Sequence, residues 1–253
     1  MSIFTKALAS LGVGNAKVDT RLRQTQFRQG EYIEGEVHIQ GGQVAQEIDE
    51  IYLYLVVLYQ HERNQQEYVM EEYRLSEVFT VAPQETRVIP FEIRLPYDTP
   101  VTTGGCPVYL KTGLDIKRAV DPDDNDGIEV LPHPLVEKVL SVIEKVGFQL
   151  VEIDFEFENY YSRHPFIQEF EFKPTGDLRG LLDEIEVMFY IGEKEVEVIL
   201  QLDRKATDLM SSLEEALELD QRTLRLSVNE QDVTGGTEDL QKKIDDLIRH
   251  HVH

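Results

Sequence analysis

The sequence has one cysteine, Cys106, and no tryptophan among its 253 residues. A lone thiol cannot close an intrachain disulfide or supply a paired-cysteine metal or redox motif. Basic residues are scarce: 25 Lys and Arg stand against 48 Asp and Glu, a formal net charge of −23. That balance argues against nucleic acid as a direct partner, because such binding runs on neutralised phosphates, and it disfavours anionic lipid surfaces. No run approaches the roughly 18 apolar residues of a membrane-spanning helix. The opening segment, MSIFTKALASLGVG, sets Ile3, Phe4, Ala7, Leu8 and Leu11 at helical spacing. It lacks the basic start and unbroken apolar core of a secretory signal, so a cytoplasmic protein is expected. Its short helix is read as packing on its own domain rather than as a membrane anchor.

What the chain has in quantity is alternation with period two. Ile33, Gly35, Val37 and Ile39 alternate with Glu34, Glu36 and His38. Ile89, Phe91, Ile93 and Leu95 do the same, as do Val151, Ile153, Phe155 and Phe157, then Val196 to Leu202, then Leu224, Leu226 and Val228. Each run turns one face to a core and one to water, as antiparallel sheets do. Residues 51–59 (IYLYLVVLY) read instead as a strand buried on both faces. Turns at Gly41-Gly42, Gly104-Gly105 and Gly192 separate the runs. Many short strands with such turns predict β-sandwiches.

Helical spacing interrupts this pattern in a few places. LVEKVLSVIEKVGF places Leu135, Val139, Val142 and Val146 on one stripe, with Pro134 suited to the first helical position and Gly147 to the C-cap. The DPDDNDG segment before it reads as a polar, turn-rich loop. These signals predict a domain over 1–131, a second over 132–230 and a tail helix within 231–253. A further helical patch, LMSSLEEALEL, falls at 209–219. The tail aligns Leu240, Ile244, Leu247 and Ile248, whose burial would contribute on the order of 6–12 kcal/mol gross. Docking of that stripe on its own domain is the preferred reading, and the same four residues are the candidate face for a partner.

Catalytic constellations are sparse. There is no G-x-S-x-G elbow, and Gly12-Val-Gly14 lacks the later glycine of a phosphate loop. Cys106 sits in a Gly-Gly-Cys-Pro turn that His61, His133 or His164 could approach, but a structural thiol is the preferred reading. Asp121, Asp123, Asn125 and Asp126 invite a calcium reading. The EF-hand register fails, because Asp126 stands where glycine belongs and Pro132 where the bidentate glutamate belongs. Glu152, Asp154, Glu156 and Glu158 recur on one strand face, the arrangement of a solvated sheet rather than of a hydrolase pair. His250, His251 and His253 carry no biological assignment. No catalytic, cofactor or metal residue is therefore assigned.

Three segments carry a resemblance. FRQGEYIEGEVHIQGG (27–42) resembles the second and third strands of arrestins, IPFEIRLPYDTPVTT (89–103) their Pro-Phe-x-Ile-x-Leu-Pro strand, and PVYLKTGLDIKRAVDPDD (107–124) the closing strands of their N-terminal domain. Gly30 suits a turn closed to other residues, and Pro90 confines its strand to an edge or bulge. The whole chain is more similar still to the bacterial sporulation-control protein M family (SpoOM), through GNAKVDTRLRQ, EVLPHPLVEKVLSVIEKVGFQL and LQLDRKA (200–206). The resemblance implies two tandem arrestin-like antiparallel β-sandwiches with short N-terminal, linker and C-terminal helices. It also implies no enzymatic activity and no cofactor, with a regulatory role at the onset of sporulation or in related cell-cycle or stress control. The expected partners are other proteins with basic surfaces, and a homodimer is left open. The alternative is a small-ligand or sugar-binding β-sandwich, calcium-assisted.

Overall fold

The computed structural model describes residues 16–61, 64–103, 105–116, 122–157, 163–204, 222–234 and 236–252. The helices expected at the N-terminus and at 209–219 lie outside the described residues. The chain divides into two compact units, Met1–Leu131 and Pro132–His253.

In the first unit, β1 (Lys17–Leu22), β3 (Tyr32–Gln40) and β7 (Thr86–Arg94) form an antiparallel sheet in the order β1-β3-β7. A second sheet runs β2 (Gln26–Arg28), β9 (Asp123–Leu131), β8 (Val108–Ile116), β4 (Gln46–His61) and β5 (Asn64–Arg74), with β6 (Phe79–Val81) beside β4. Alternation delivers the core: Ile33, Val37 and Ile39 from the first sheet and Ile51, Leu53, Leu110, Leu114 and Val130 from the second are fully buried. Removing such aliphatic surface from water is the main favourable term in folding. Pro90 lies on β7, an edge strand, where its missing N–H breaks no interior ladder.

Two expectations change here. In 51–59, burial alternates up to a bulge between Leu55 and Val56, so Tyr52 and Tyr54 form a half-buried outer row rather than a second buried face. The extra residue of that bulge is Met70 on β5, and Val56, on the outer row by its unshifted pairing with β8, is itself fully buried. The acidic segment expected as a loop is strand: Asp123–Gly127 pairs with Tyr109–Gly113 of β8. Turn-forming composition yields to cross-strand pairing when a neighbouring strand supplies the ladder.

In the second unit, β10 (Phe148–Glu156), β11 (Ile167–Pro174), β12 (Leu182–Ile191), β13 (Glu195–Arg204) and β14 (Arg222–Asn229) form an antiparallel meander in sequence order. Helix α1 (Pro134–Val146) packs on β10 and β13, and α3 (Glu238–Val252), after the short α2 (Glu230–Val233), packs on α1. Pro134 opens α1, His133 Nδ1 accepts from the Leu135 N–H at 3.3 Å, and Gly147 closes it in the left-handed region at φ 117°. Val196, Val198, Leu200 and Leu202 are fully buried, as the alternation predicts. Val151 departs from it. A bulge between Leu150 and Glu152 reverses the facing, and Val151 is 49% exposed.

Candidate functional site

The candidate partner face belongs to α3. Leu240, Ile244 and Ile248 are 1%, 0% and 0% exposed, and Leu247 is half-buried. Spacings of four residues place them on one stripe, and α3 lies on α1, whose own Val136, Val139, Val142 and Ile143 are buried. Charges anchor the helix at its rim. Arg249 bonds Asp245 at 2.7 Å and Asp177 at 3.1 Å, and Lys243 approaches Asp232 at 3.9 Å. The Arg249 hydrogen bond holds the Asp177 carboxyl below its ordinary range. His251 Nδ1 meets the Leu247 carbonyl at 2.8 Å, so this histidine serves the helix end rather than a metal. In this arrangement the stripe is reachable by a partner only when α3 leaves α1.

Cys106 is 1% exposed, and burial pushes its thiol up to about 12. A thiol held neutral in this way is a poor nucleophile. Of the histidines considered beside it, His133 caps α1 and His164 is buried against Phe166, both in the other unit, while the side chain of His61 lies outside the described residues. The calcium set is split. Asp123 and Asn125 are exposed on one side of β9, Asp126 lies on the other, and Asp121 falls outside the described residues. Among the described residues no group of three or more His, Cys, Asp or Glu side chains is placed to hold a metal ion.

Two carboxyl groupings emerge that the sequence did not single out. Strand register sets Glu152 opposite Glu171 and Glu171 opposite Glu186, with Asp154 opposite Glu169 one step along. Like charges directly opposite on a sheet repel. Burial first, then Glu186, Glu156, Asp154 and Glu171, push Glu169 up to about 8. Lys173 tempers the far end, bonding Glu171 at 3.0 Å and also Glu184. The second grouping is Asp124 and Asp126 on β9, of which Asp124 accepts from the Thr20 N–H of β1. The signal available in the sequence was only the alternation of acids; which acids meet depends on register. At the turn end of the β12–β13 hairpin lies a concavity of about 560 Å³ lined by Tyr190, Gly192, Glu195, Glu197, Arg225 and Ser227, spanned by an Arg225–Glu197 ion pair at 2.9 Å.

Taken together, two tandem β units, a helix-capped second sheet and a buried, neutral thiol define a mostly β protein of arrestin-like architecture. The chain belongs to the SpoOM protein family, whose model matches residues 4–206. It is 39% identical over 254 residues to the sporulation-control protein spo0M of Bacillus subtilis (strain 168), covering 98% of both chains. The crystal structure of Spo0M, sporulation control protein, from Bacillus subtilis matches with a TM-score of 0.79 at 33% identity, covering 95% of this chain and 98% of that one. Among the described residues, no helix is long and apolar enough to cross a membrane.

Proposed function

We propose that the protein is a cytoplasmic, non-enzymatic regulator of the onset of sporulation, or of related cell-cycle or stress control, acting as an arrestin-like adaptor through protein contacts. The observation that carries this reading is the end-to-end match, at 39% identity and 98% coverage, to a sporulation-control protein. The buried thiol of Cys106 supports the non-enzymatic part, since the one cysteine is held unreactive. We read residues 1–131 and 132–230 as two domains and 231–253 as a tail. Leu240, Ile244, Leu247 and Ile248 are the partner face, exposed when α3 is released, and the acid excess selects partners with basic surfaces.

Expression of the chain in a Bacillus subtilis strain lacking its own spo0M tests the role. Correction of that strain's sporulation phenotype is expected, and a stable, well-expressed chain that changes nothing would overturn it. The adaptor mechanism is tested by crosslinking mass spectrometry in growing cells, compared with a chain lacking residues 237–253. Loss of specific crosslinked proteins is expected in the truncated chain. If the crosslinked set is unchanged and only thermal stability falls, α3 is a structural cap.

A further inference from the structure

At one corner of the first unit, β1 is fastened to the second sheet by polar groups. Thr20 is buried; its backbone N–H donates to Asp124 Oδ2 at 2.7 Å, and its hydroxyl donates to Thr112 Oγ1 of β8 at 2.7 Å. Asp126 follows two residues along β9 and so shares the face of Asp124. Opposite the two acids on β8 stand Thr112 and Leu110, both buried. Asp126 Oδ2 is itself buried with no hydrogen-bond partner, and among the described residues no ion pair reaches either acid. A carboxylate oxygen left in that state is costly, whereas a carboxylic acid beside a carboxylate can share one proton between them.

We propose that Asp124 and Asp126 form a proton-operated clasp: with Asp126 protonated, the pair holds Thr20 and keeps β1 on the second sheet, and loss of that proton places two anions in the corner and loosens β1. The neighbouring groups agree with this. From β1 the charged residues are Lys17, Asp19 and Arg21, with Asp19 bound to Arg21 at 2.8 Å. From β8 the charges are Lys111, opposite Asn125 on the other face and paired with Glu67 at 3.9 Å, and Asp115, which shares the face of Lys111 by alternation and lies opposite Glu50 of β4. From β2, Gln26 bonds Glu129, and Arg28 stands opposite Leu131, five residues from Asp126. Among the described residues no cation is thus placed to neutralise the pair, and burial, then Asp124 and Asp19, push Asp126 up to about 6.

The sign follows from linkage. A carboxyl raised in the folded state destabilises it as pH rises from the ordinary value, near 3.8, toward about 6, and the cost is constant above that. A shift of two units corresponds to about 100-fold in the folding equilibrium; solvent reaches part of this carboxyl, so about tenfold is expected.

The test is a carbon-13 carboxyl titration of the full chain, with the protection factor of the Thr20 amide followed between pH 4 and pH 7.5. We expect an Asp126 midpoint near 6, about tenfold loss of Thr20 protection in the native sequence, and no such loss in Asp126→Asn. An Asp126 midpoint near 4 overturns the proposal. So does a midpoint near 6 with Thr20 protection unchanged, since the proton would then report burial alone. If Asp126→Asn does not fold, Asp124→Asn decides: an Asp126 midpoint clearly below that of the native sequence supports the pair, and an unchanged midpoint overturns it.

Discussion

Gly30 shows how one residue type can be required by both conformation and space. Its φ of 83° lies in the left-handed region, and a Cβ there would overlap the Tyr97 ring. Gly30→Ala is therefore expected to cost about 1–3 kcal/mol in urea unfolding. Gly113 meets the second demand alone, since a Cβ would overlap the Tyr52 ring. Glu169 carries the residue-scale electrostatics of the second unit. Its carboxyl is raised from 4.5 to about 8, so ionising it costs stability progressively across that window. Glu169→Gln mimics the protonated acid. It should leave stability unchanged near pH 4 and raise it above the native chain's near pH 8.5, read by urea midpoints. Cys106, raised to about 12, should resist a thiol reagent at pH 8 in the native protein and react promptly once the chain is unfolded in guanidinium.

At the scale of elements, α1 and α3 were legible because their stripes and caps are local properties. Pro134, Gly147 and the Leu240–Ile244–Ile248 spacing each act within a turn or two of helix. What the stripe of α3 packs on was not legible, because an aliphatic row carries no address. Docked on α1, Ile244 is fully buried, and Ile244→Ala is expected to cost about 2–5 kcal/mol by creating a cavity. Lys242→Ala, on the exposed side of the same helix, should stay within about 0.5 kcal/mol. Equal effects of the two substitutions would show that α3 is not held on α1 in solution. Strands were legible wherever alternation runs unbroken, as in β3 and β13. Alternation misled at the bulge in β10, where one extra residue turned Val151 to solvent.

For the molecule as a whole, the charge of −23 is carried by both halves: 12 basic against 21 acidic residues up to position 130, a net of −9, and 13 against 27 beyond it, a net of −14. It is spread over sheet faces rather than gathered in a tail, so its effect on a partner is steering at long range. For any basic partner found by crosslinking, raising the salt from about 0.05 to 0.5 M should slow association markedly, because the Debye length then falls below about 5 Å. A salt-independent association rate would remove steering from the mechanism.

The sequence by itself determined the periodicities, caps and breakers, and through them the mostly β character, the helix that opens the second unit and the amphipathic tail. These depend on residues a few positions apart, whose geometry is set by the backbone alone. Tertiary structure decided which residues separated by tens of positions meet. It made a strand of Asp123–Gly127, set Glu171 against Glu186, and brought Thr20 to Asp124 across 104 residues. It also withdrew the sole thiol into a core. Those outcomes turn on register and burial, and register is a property of strand pairs that no single segment contains.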